Sequence, residues 1–385
     1  MEQYDVIVVG VGSMGSATLC DLAKKGLKVL GLEQFTLANE LSSHTGQSRL
    51  IRLAYFEHPN YVPLLKKAYT GWRQIEADAG VSLLHQTGIA YYGKSGGPLI
   101  SGIQSSVSAH DLSMTSISTD HYAPLQIPKE YKGLFEEVAG FITPEKAIRT
   151  YAQQALKQGA VLRQNERVIS WQQHPNHISV QTDQGSYHTE KLILTAGPHI
   201  QSLLPSFKPK LTITRQLIGW LNPSCWQDFS INDFPCWVIE EEGISGIYYG
   251  FPILPIEEFA GPIGLKIAYH APGEVIEPEQ VKSFDGSQEA ERLLAVSRRY
   301  FRDQKMTMLN ISSCMYTYSS DDDFIIDYLP QTDEKIILAT GFSGHGFKFV
   351  PAIGDVLSKM ARGLSGEVDL TFLSIDRFGD QEYLT

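Results

Sequence analysis

The stretch Tyr4-Asp5-Val6-Ile7-Val8-Val9-Gly10-Val11-Gly12-Ser13-Met14-Gly15 decides the fold. Its run up to Val9 reads as a strand, and Leu19, Leu22 and Ala23 continue beyond Gly15 at helical spacing. Three glycines shape the junction. Gly10 makes the tight turn, Gly12 lets a pyrophosphate approach the backbone, and Gly15 allows close packing of helix on strand. Unpaired N–H groups at the helix start then face the phosphate. Lys24-Lys25-Gly26 closes the helix, and a second apolar run from Leu27 to Leu32 ends in Glu33, 18 residues after Gly15. A carboxylate there accepts hydrogen bonds from ribose hydroxyls and disfavours a 2′-phosphate. All these parts within about 30 residues predict a Rossmann-like dinucleotide site. The motif alone does not separate NAD from FAD.

Further along, Thr143 reads as an N-cap, with Pro144 at the first helical position, an apolar face through Ala147, Ile148, Tyr151, Ala155 and Leu156, and Gly159 at the close. Three strand-like runs follow, Val168 to Gln173, Ile178 to Thr182 and Tyr187 to Leu194, separated by turn residues. This order predicts a small antiparallel meander feeding back into a parallel sheet. A buried-type strand from Lys335 to Thr340 runs into Gly341-Phe342-Ser343-Gly344-His345-Gly346-Phe347-Lys348, and a helical pattern follows through Val350, Ile353, Val356 and Leu357. A second glycine-rich turn so far from the first implies that the nucleotide domain is discontinuous. The expected class is α/β (α+β). The nucleotide-binding parts are 1–82, 143–212 and 320–385, and a second, sheet-rich substrate domain is built from 83–142 and 213–319. Asp321-Asp322-Asp323 and Glu240-Glu241-Glu242 read as solvated turns.

Composition narrows the classes of function. With 385 residues and 43 % hydrophobic content the chain can fill sizeable cores, which excludes disorder. A formal net charge of −11 without a basic run gives no footprint for nucleic acid. No apolar run approaches the roughly 20 residues of a membrane span, and the start lacks a signal peptide, so a cytoplasmic protein is expected. Cys20, Cys225, Cys236 and Cys314 form no CxxC and no zinc-type spacing, which argues against disulfides and structural metal. By default all four are packing residues.

At Ser43-His44-Thr45-Gly46-Gln47-Ser48-Arg49-Leu50-Ile51-Arg52-Leu53-Ala54-Tyr55 the sequence resembles the monomeric sarcosine oxidase and N-methyltryptophan oxidase family. Tyr248-Tyr249-Gly250-Phe251-Pro252, Gly264-Leu265-Lys266 with Tyr269-His270, Cys314-Met315-Tyr316, Phe324-Ile325-Ile326-Asp327 and Gly341 to Phe349 carry the resemblance through essentially the whole chain. It implies FAD, attached covalently through Cys314, a secondary amino acid as substrate, and reoxidation by dioxygen to give hydrogen peroxide. A monomer is expected.

Arg49 and Arg52 stand three apart, so on a helical turn both would face one side, and a guanidinium is the usual partner of a carboxylate. The resemblance makes Arg52 a ligand of the substrate carboxylate, with Lys348 as the second half of the clamp and Gly344 beside them. It sets Arg49 at the flavin face and Lys266 against the flavin, where a fixed cation stabilises charge passing to dioxygen. Tyr249, His270 and Tyr316 match positions lining the substrate cavity, although His270 also reads as an ordinary core histidine. Gly10, Gly12, Gly15, Glu33, Ser43, Ser48, Gly341 and Gly346 complete the expected cofactor contacts.

The chain departs from the family around the pocket. His44-Thr45-Gly46-Gln47-Ser48 stands where many relatives have paired histidines followed by Gly-Asp-Thr. Leu53 replaces a histidine, Phe56 a glycine and Val238 a methionine, and the stretch from Ile253 to Pro262 is longer than in sarcosine oxidase. Two other readings stay open: a dehydrogenase of the same fold with another electron acceptor, and a non-catalytic flavoprotein.

Overall fold

In the computed structural model the described residues are 2–207 and 209–379; Met1, Lys208 and residues 380–385, which the expected domain spans include, lie outside them. The Glu2–Val9 strand pairs in parallel with Val29–Glu33 on one side and with Ser186–Leu194 on the other. Its apolar run is buried on both faces, as a central parallel strand requires. The first half of Ser186–Leu194 pairs antiparallel with Ile178–Thr182, which pairs with Val168–Gln173, so the predicted meander forms. Its last residues pair in parallel with Ile336–Thr340. Beginning, middle and end of the chain thus meet in one eight-stranded sheet.

The Ser13–Lys24 helix leaves the glycine turn and packs against the helices Pro144–Lys157 and Val350–Ala361. Thr143 takes the N-cap place with an extended backbone, but its hydroxyl makes no capping bond and instead donates to the Leu83 carbonyl. A nine-stranded sheet carries the second large core. Thr212–Asn222 runs antiparallel to Thr307–Tyr318 and to Leu265–His270, and Ile247–Phe251 and Cys236–Glu240 follow in the sheet order. Among the described residues no helix is long and apolar enough to cross a membrane.

Three local expectations are corrected. Arg49 and Arg52 do not share a helical turn: Arg49–Ile51 is a strand paired with Gly140–Ile142, and Arg52 follows it. Cross-strand pairing outweighs the local spacing, yet both arginines still line one cavity. The acidic triplets are not simply solvated. Asp321 is held by Arg377, Asp323 accepts from Tyr61, Glu241 is buried and paired with the exposed Arg299, and Glu240 accepts from the Leu99 amide. Cys225 is exposed, whereas Cys20, Cys236 and Cys314 are buried.

Candidate active site

The glycine turn is set by close backbone approach. Gly10 has φ +86°, and a Cβ there would lie 2.6 Å from the Thr195 carbonyl oxygen; a Cβ on Gly15 would come within 1.9 Å of the Gly10 carbonyl. Turn, helix and the end of Ser186–Leu194 are therefore locked together. A cavity opens over them, lined by Gly10, Gly12, Glu33, Ser43, His44 and Thr195 among others. Glu33 accepts from the Val11 amide at 2.9 Å and the Phe35 amide at 3.0 Å. It thus pins the turn, and each oxygen keeps a second lone pair for a ligand.

A second cavity continues from the first, sharing Ser13, Ser43, His44 and Thr195 with it. Arg49, Tyr316, Gly341, Gly344 and Gly346 line its far side. Here His44 Nε2, Thr317 Oγ1 and Thr340 Oγ1 are buried without a hydrogen-bond partner. Leaving such groups unmatched costs about 1–3 kcal/mol each, so a polar ligand rather than protein is their natural partner. Burial holds the His44 imidazole down to about 4, so it is neutral at pH 7. An extended dinucleotide with a polar ring at one end fits this donor set.

A third cavity shares Arg49, Tyr316, Gly344 and Phe347 with the second. Gly344, at φ +79°, makes the junction: a Cβ there would lie 2.2 Å from the Tyr316 ring. Arg52, Glu57, Tyr249, His270, His345 and Lys348 face this cavity, with Leu50, Phe56, Val238 and Ile247 as apolar wall. The Arg52 Nη2 donates to both Glu57 oxygens, at 2.6 and 2.7 Å. Burial would raise the Glu57 carboxyl, but Arg52, then His345 and Lys348, bring it down to about 2. Burial and the neighbouring Arg52 lower the Lys348 ammonium to about 7. Burial also takes His270 down to about 4, and its Nδ1 lies 3.4 Å from the Tyr316 hydroxyl. His270 is thus a half-buried residue that faces the cavity.

Gly15, Ser48, Lys266 and Cys314 line none of these three cavities. Lys266 is buried, and its ammonium donates to the Gly46 carbonyl at 2.5 Å, the Ser48 carbonyl at 2.7 Å and the Ser48 hydroxyl at 3.0 Å. Burial and then Arg49 hold it well below the usual lysine value. From the other side Glu145, in the first turn of Pro144–Lys157, accepts from the Gly46 and Gln47 amides. The 46–48 turn is thus clamped by a cation below and a carboxylate above. Arg49 donates to the Ser43 and Ser48 carbonyls, at 3.0 and 2.9 Å. Cys314 is buried beside it; burial pushes the thiol up, and Arg49 and Lys266 partly offset this.

Sequence reasoning missed Glu57, Glu145, His345, Thr317 and Thr340. Glu145 carried a signal, since an acid in a helix's first turn is a ready acceptor for amides. Glu57 lies in an ordinary polar turn, and nothing local marks it.

Residues 5–360 match the family described as FAD dependent oxidoreductase, and the chain belongs to it. It is an FAD-dependent amino-acid or amine oxidase of the sarcosine and N-methyltryptophan oxidase type. It is 32 % identical over 383 residues to monomeric sarcosine oxidase of Bacillus sp. (strain B-0618), covering 97 % of this chain and 96 % of the relative. It is 30 % identical over 380 residues to N-methyl-L-tryptophan oxidase of Yersinia pestis (strain Pestoides F), covering 97 % and 99 %. Its fold is similar to that of NikD, described as an unusual amino acid oxidase essential for nikkomycin biosynthesis (TM-score 0.85, 23 % identity, 97 % and 98 % covered). L-proline dehydrogenase from P. horikoshii shares the fold as well (TM-score 0.81, 18 % identity, 98 % of both chains covered).

Proposed function

We propose that the chain oxidises a secondary amino acid, N-methylated or otherwise N-substituted, and passes the electrons to dioxygen. The observation that carries this reading is the join of the third cavity to the second at Tyr316 and Gly344, with two buried cations, Arg52 and Lys348, facing the third. A carboxylate received by those cations leaves the amine end of an amino acid pointing at the junction. Leu50, Phe56, Val238 and Ile247 suit an apolar side chain or N-substituent.

When bound, the flavin supplies the two-electron acceptor for the substrate and the route of those electrons to dioxygen. The chain's own residues do the rest. Arg52 and Lys348 fix the carboxylate, and neutral His270 with Tyr249 and Tyr316 orients an uncharged amine by hydrogen bonds. Loss of two electrons and two protons turns the amine into an imine, which water splits into a carbonyl compound and an amine. Dioxygen takes up the two electrons and two protons as hydrogen peroxide. Arg49 and Lys266 supply fixed positive charge near the ring end of the cofactor groove.

In the same reading Cys314 carries the flavin through a thioether. Linking its Sγ to a flavin carbon removes one hydrogen from each, and dioxygen is the oxidant that takes up those two electrons. The eight-stranded sheet serves as the FAD-binding domain and the nine-stranded sheet as the substrate domain, with boundaries near 82, 142, 212 and 319.

One observation favours a second reading, a dehydrogenase with another acceptor: the Lys266 ammonium already has three protein acceptors. The test is a peroxide assay across N-methyl and cyclic amino acids of increasing side-chain size, run beside a dye-reduction assay. Peroxide equal to substrate consumed is expected. Dye reduction without peroxide, unchanged by Lys266→Met, selects the dehydrogenase; neither signal with any substrate selects a non-catalytic flavoprotein.

A further inference from the structure

His345 is not one of the cations or the tyrosines that the reaction uses, yet its ring Nδ1 and its backbone carbonyl are both engaged at the clamp. It sits between Gly344 and Gly346, 7 % exposed. Its Nε2 lies 3.1 Å from the Asp322 carbonyl, which only accepts, so Nε2 carries the proton. Burial lowers the imidazole to about 3, so the ring is neutral and Nδ1 is left as an acceptor. The Tyr55 hydroxyl fills that place at 2.5 Å. The backbone carbonyl of His345 accepts the Lys348 ammonium at 2.7 Å.

Tyr55 is fully buried, and its carbonyl accepts from the Ser106 hydroxyl. The Arg52 guanidinium carbon stands 4.4 Å and the Lys348 nitrogen 5.1 Å from the centre of its ring. Both cations of the clamp therefore rest on one aromatic ring, where the π-electrons offset part of their repulsion. Among the described residues, the only side-chain partner of that ring's hydroxyl is His345. The turn behind His345 is braced in its own right, because Arg377 donates to both Asp321 oxygens, at 2.7 and 3.1 Å, and to the Asp323 carbonyl.

We propose that His345 is the positioning residue of the carboxylate clamp: it fixes the Tyr55 ring through Nδ1 and the Lys348 ammonium through its carbonyl, so that Arg52 and Lys348 converge on one anion. The proposal rests on the reading that these two cations receive a carboxylate. Its side-chain half is open to substitution. Gln at 345 reaches the Nε2 place and keeps the Asp322 contact but loses the Tyr55 acceptor; Asn keeps an oxygen near Nδ1 and so retains it.

The experiment uses the purified holoenzyme and methoxyacetate, an N-methylglycine isostere with no amine to oxidise, with its Kd read by calorimetry. Tyr55→Phe and His345→Gln are each expected to weaken binding about tenfold, the scale of one buried hydrogen bond. KM should rise in parallel while the rate at saturating substrate changes less than about threefold, and His345→Asn should stay within about threefold of the parent. Lys348→Met tests the underlying reading separately. If it leaves the Kd unchanged, the cavity is not a carboxylate site. If it weakens binding while Tyr55→Phe and His345→Gln stay within about twofold and only lower the melting temperature, His345 is merely structural and the inference falls. Should His345→Gln not fold, Tyr55→Phe, which removes one oxygen, decides alone.

Discussion

The Arg52 guanidinium meets the Glu57 carboxylate inside the third cavity, one nitrogen donating to both oxygens at 2.6 and 2.7 Å. The ligand proposed for the substrate's carboxylate thus already faces a carboxylate of the protein. An incoming anion meets a cation whose charge is matched. Glu57→Gln keeps the shape and removes that competition. Methoxyacetate is expected to bind about fivefold tighter to this variant, since hydrogen bonds to charged groups are worth about 1.5–3 kcal/mol and part of that is freed. Calorimetry of the two proteins side by side checks it, and weaker binding would mean that Glu57 holds Arg52 in its receptive position.

Lys348 sets a pH limit. Its ammonium titrates at about 7, so it is charged below that pH and loses its proton above it. Carboxylate binding, which needs the charge, should therefore be flat below pH 7 and weaken above it by up to about tenfold per pH unit. An inhibitor without an amine isolates this effect from deprotonation of the substrate. In Lys348→Arg the guanidinium stays charged, and the inhibition constant measured from pH 6 to 9 should lose its rise.

Buried histidines predict acid sensitivity. His44, His270 and His345 are held at about 4, 4 and 3 by burial, against about 6.5 in the unfolded chain. As pH falls below about 6.5 the unfolded state binds protons that the folded state refuses, so stability drops, by about 1.4 kcal/mol per pH unit for each histidine. Melting temperature should fall steeply from pH 6 to 4.5, and His345→Asn should flatten part of that slope. An unchanged profile in the variant would remove His345 from the account.

Cys314 is set apart from the other cysteines by Arg49, whose charge offsets part of the rise that burial imposes on its thiol. Acid precipitation of the protein should leave the yellow colour with the pellet, and Cys314→Ser should release it to the supernatant. Cys20→Ser and Cys225→Ser should not. Colour in the supernatant of the unsubstituted protein would end the covalent assignment.

The parts of this protein that were legible in its sequence are those governed by local rules. A β-branched run followed by Gly10, Gly12 and Gly15 reads as a strand, a turn and a helix, and the close backbone approach in that turn leaves no room for a Cβ at Gly10 or Gly15. The helix after Thr143 and the meander from Val168 to Leu194 follow from hydrophobic period and turn residues in the same way. The motifs around Arg52, Lys266, His270 and Lys348 named the chemistry through their resemblance to a family. Tertiary structure alone decided the rest. Whether Arg49 and Arg52 lie on a helix or a strand was settled by the pairing of Arg49–Ile51 with Gly140–Ile142, about ninety residues away. The engagement of Lys266 with the 46–48 turn and of His345 with Tyr55 joins residues 220 and 290 positions apart. No local pattern encodes such contacts. They exist because burying a polar group is costly unless a partner arrives, and the partner is chosen by how the two sheets pack.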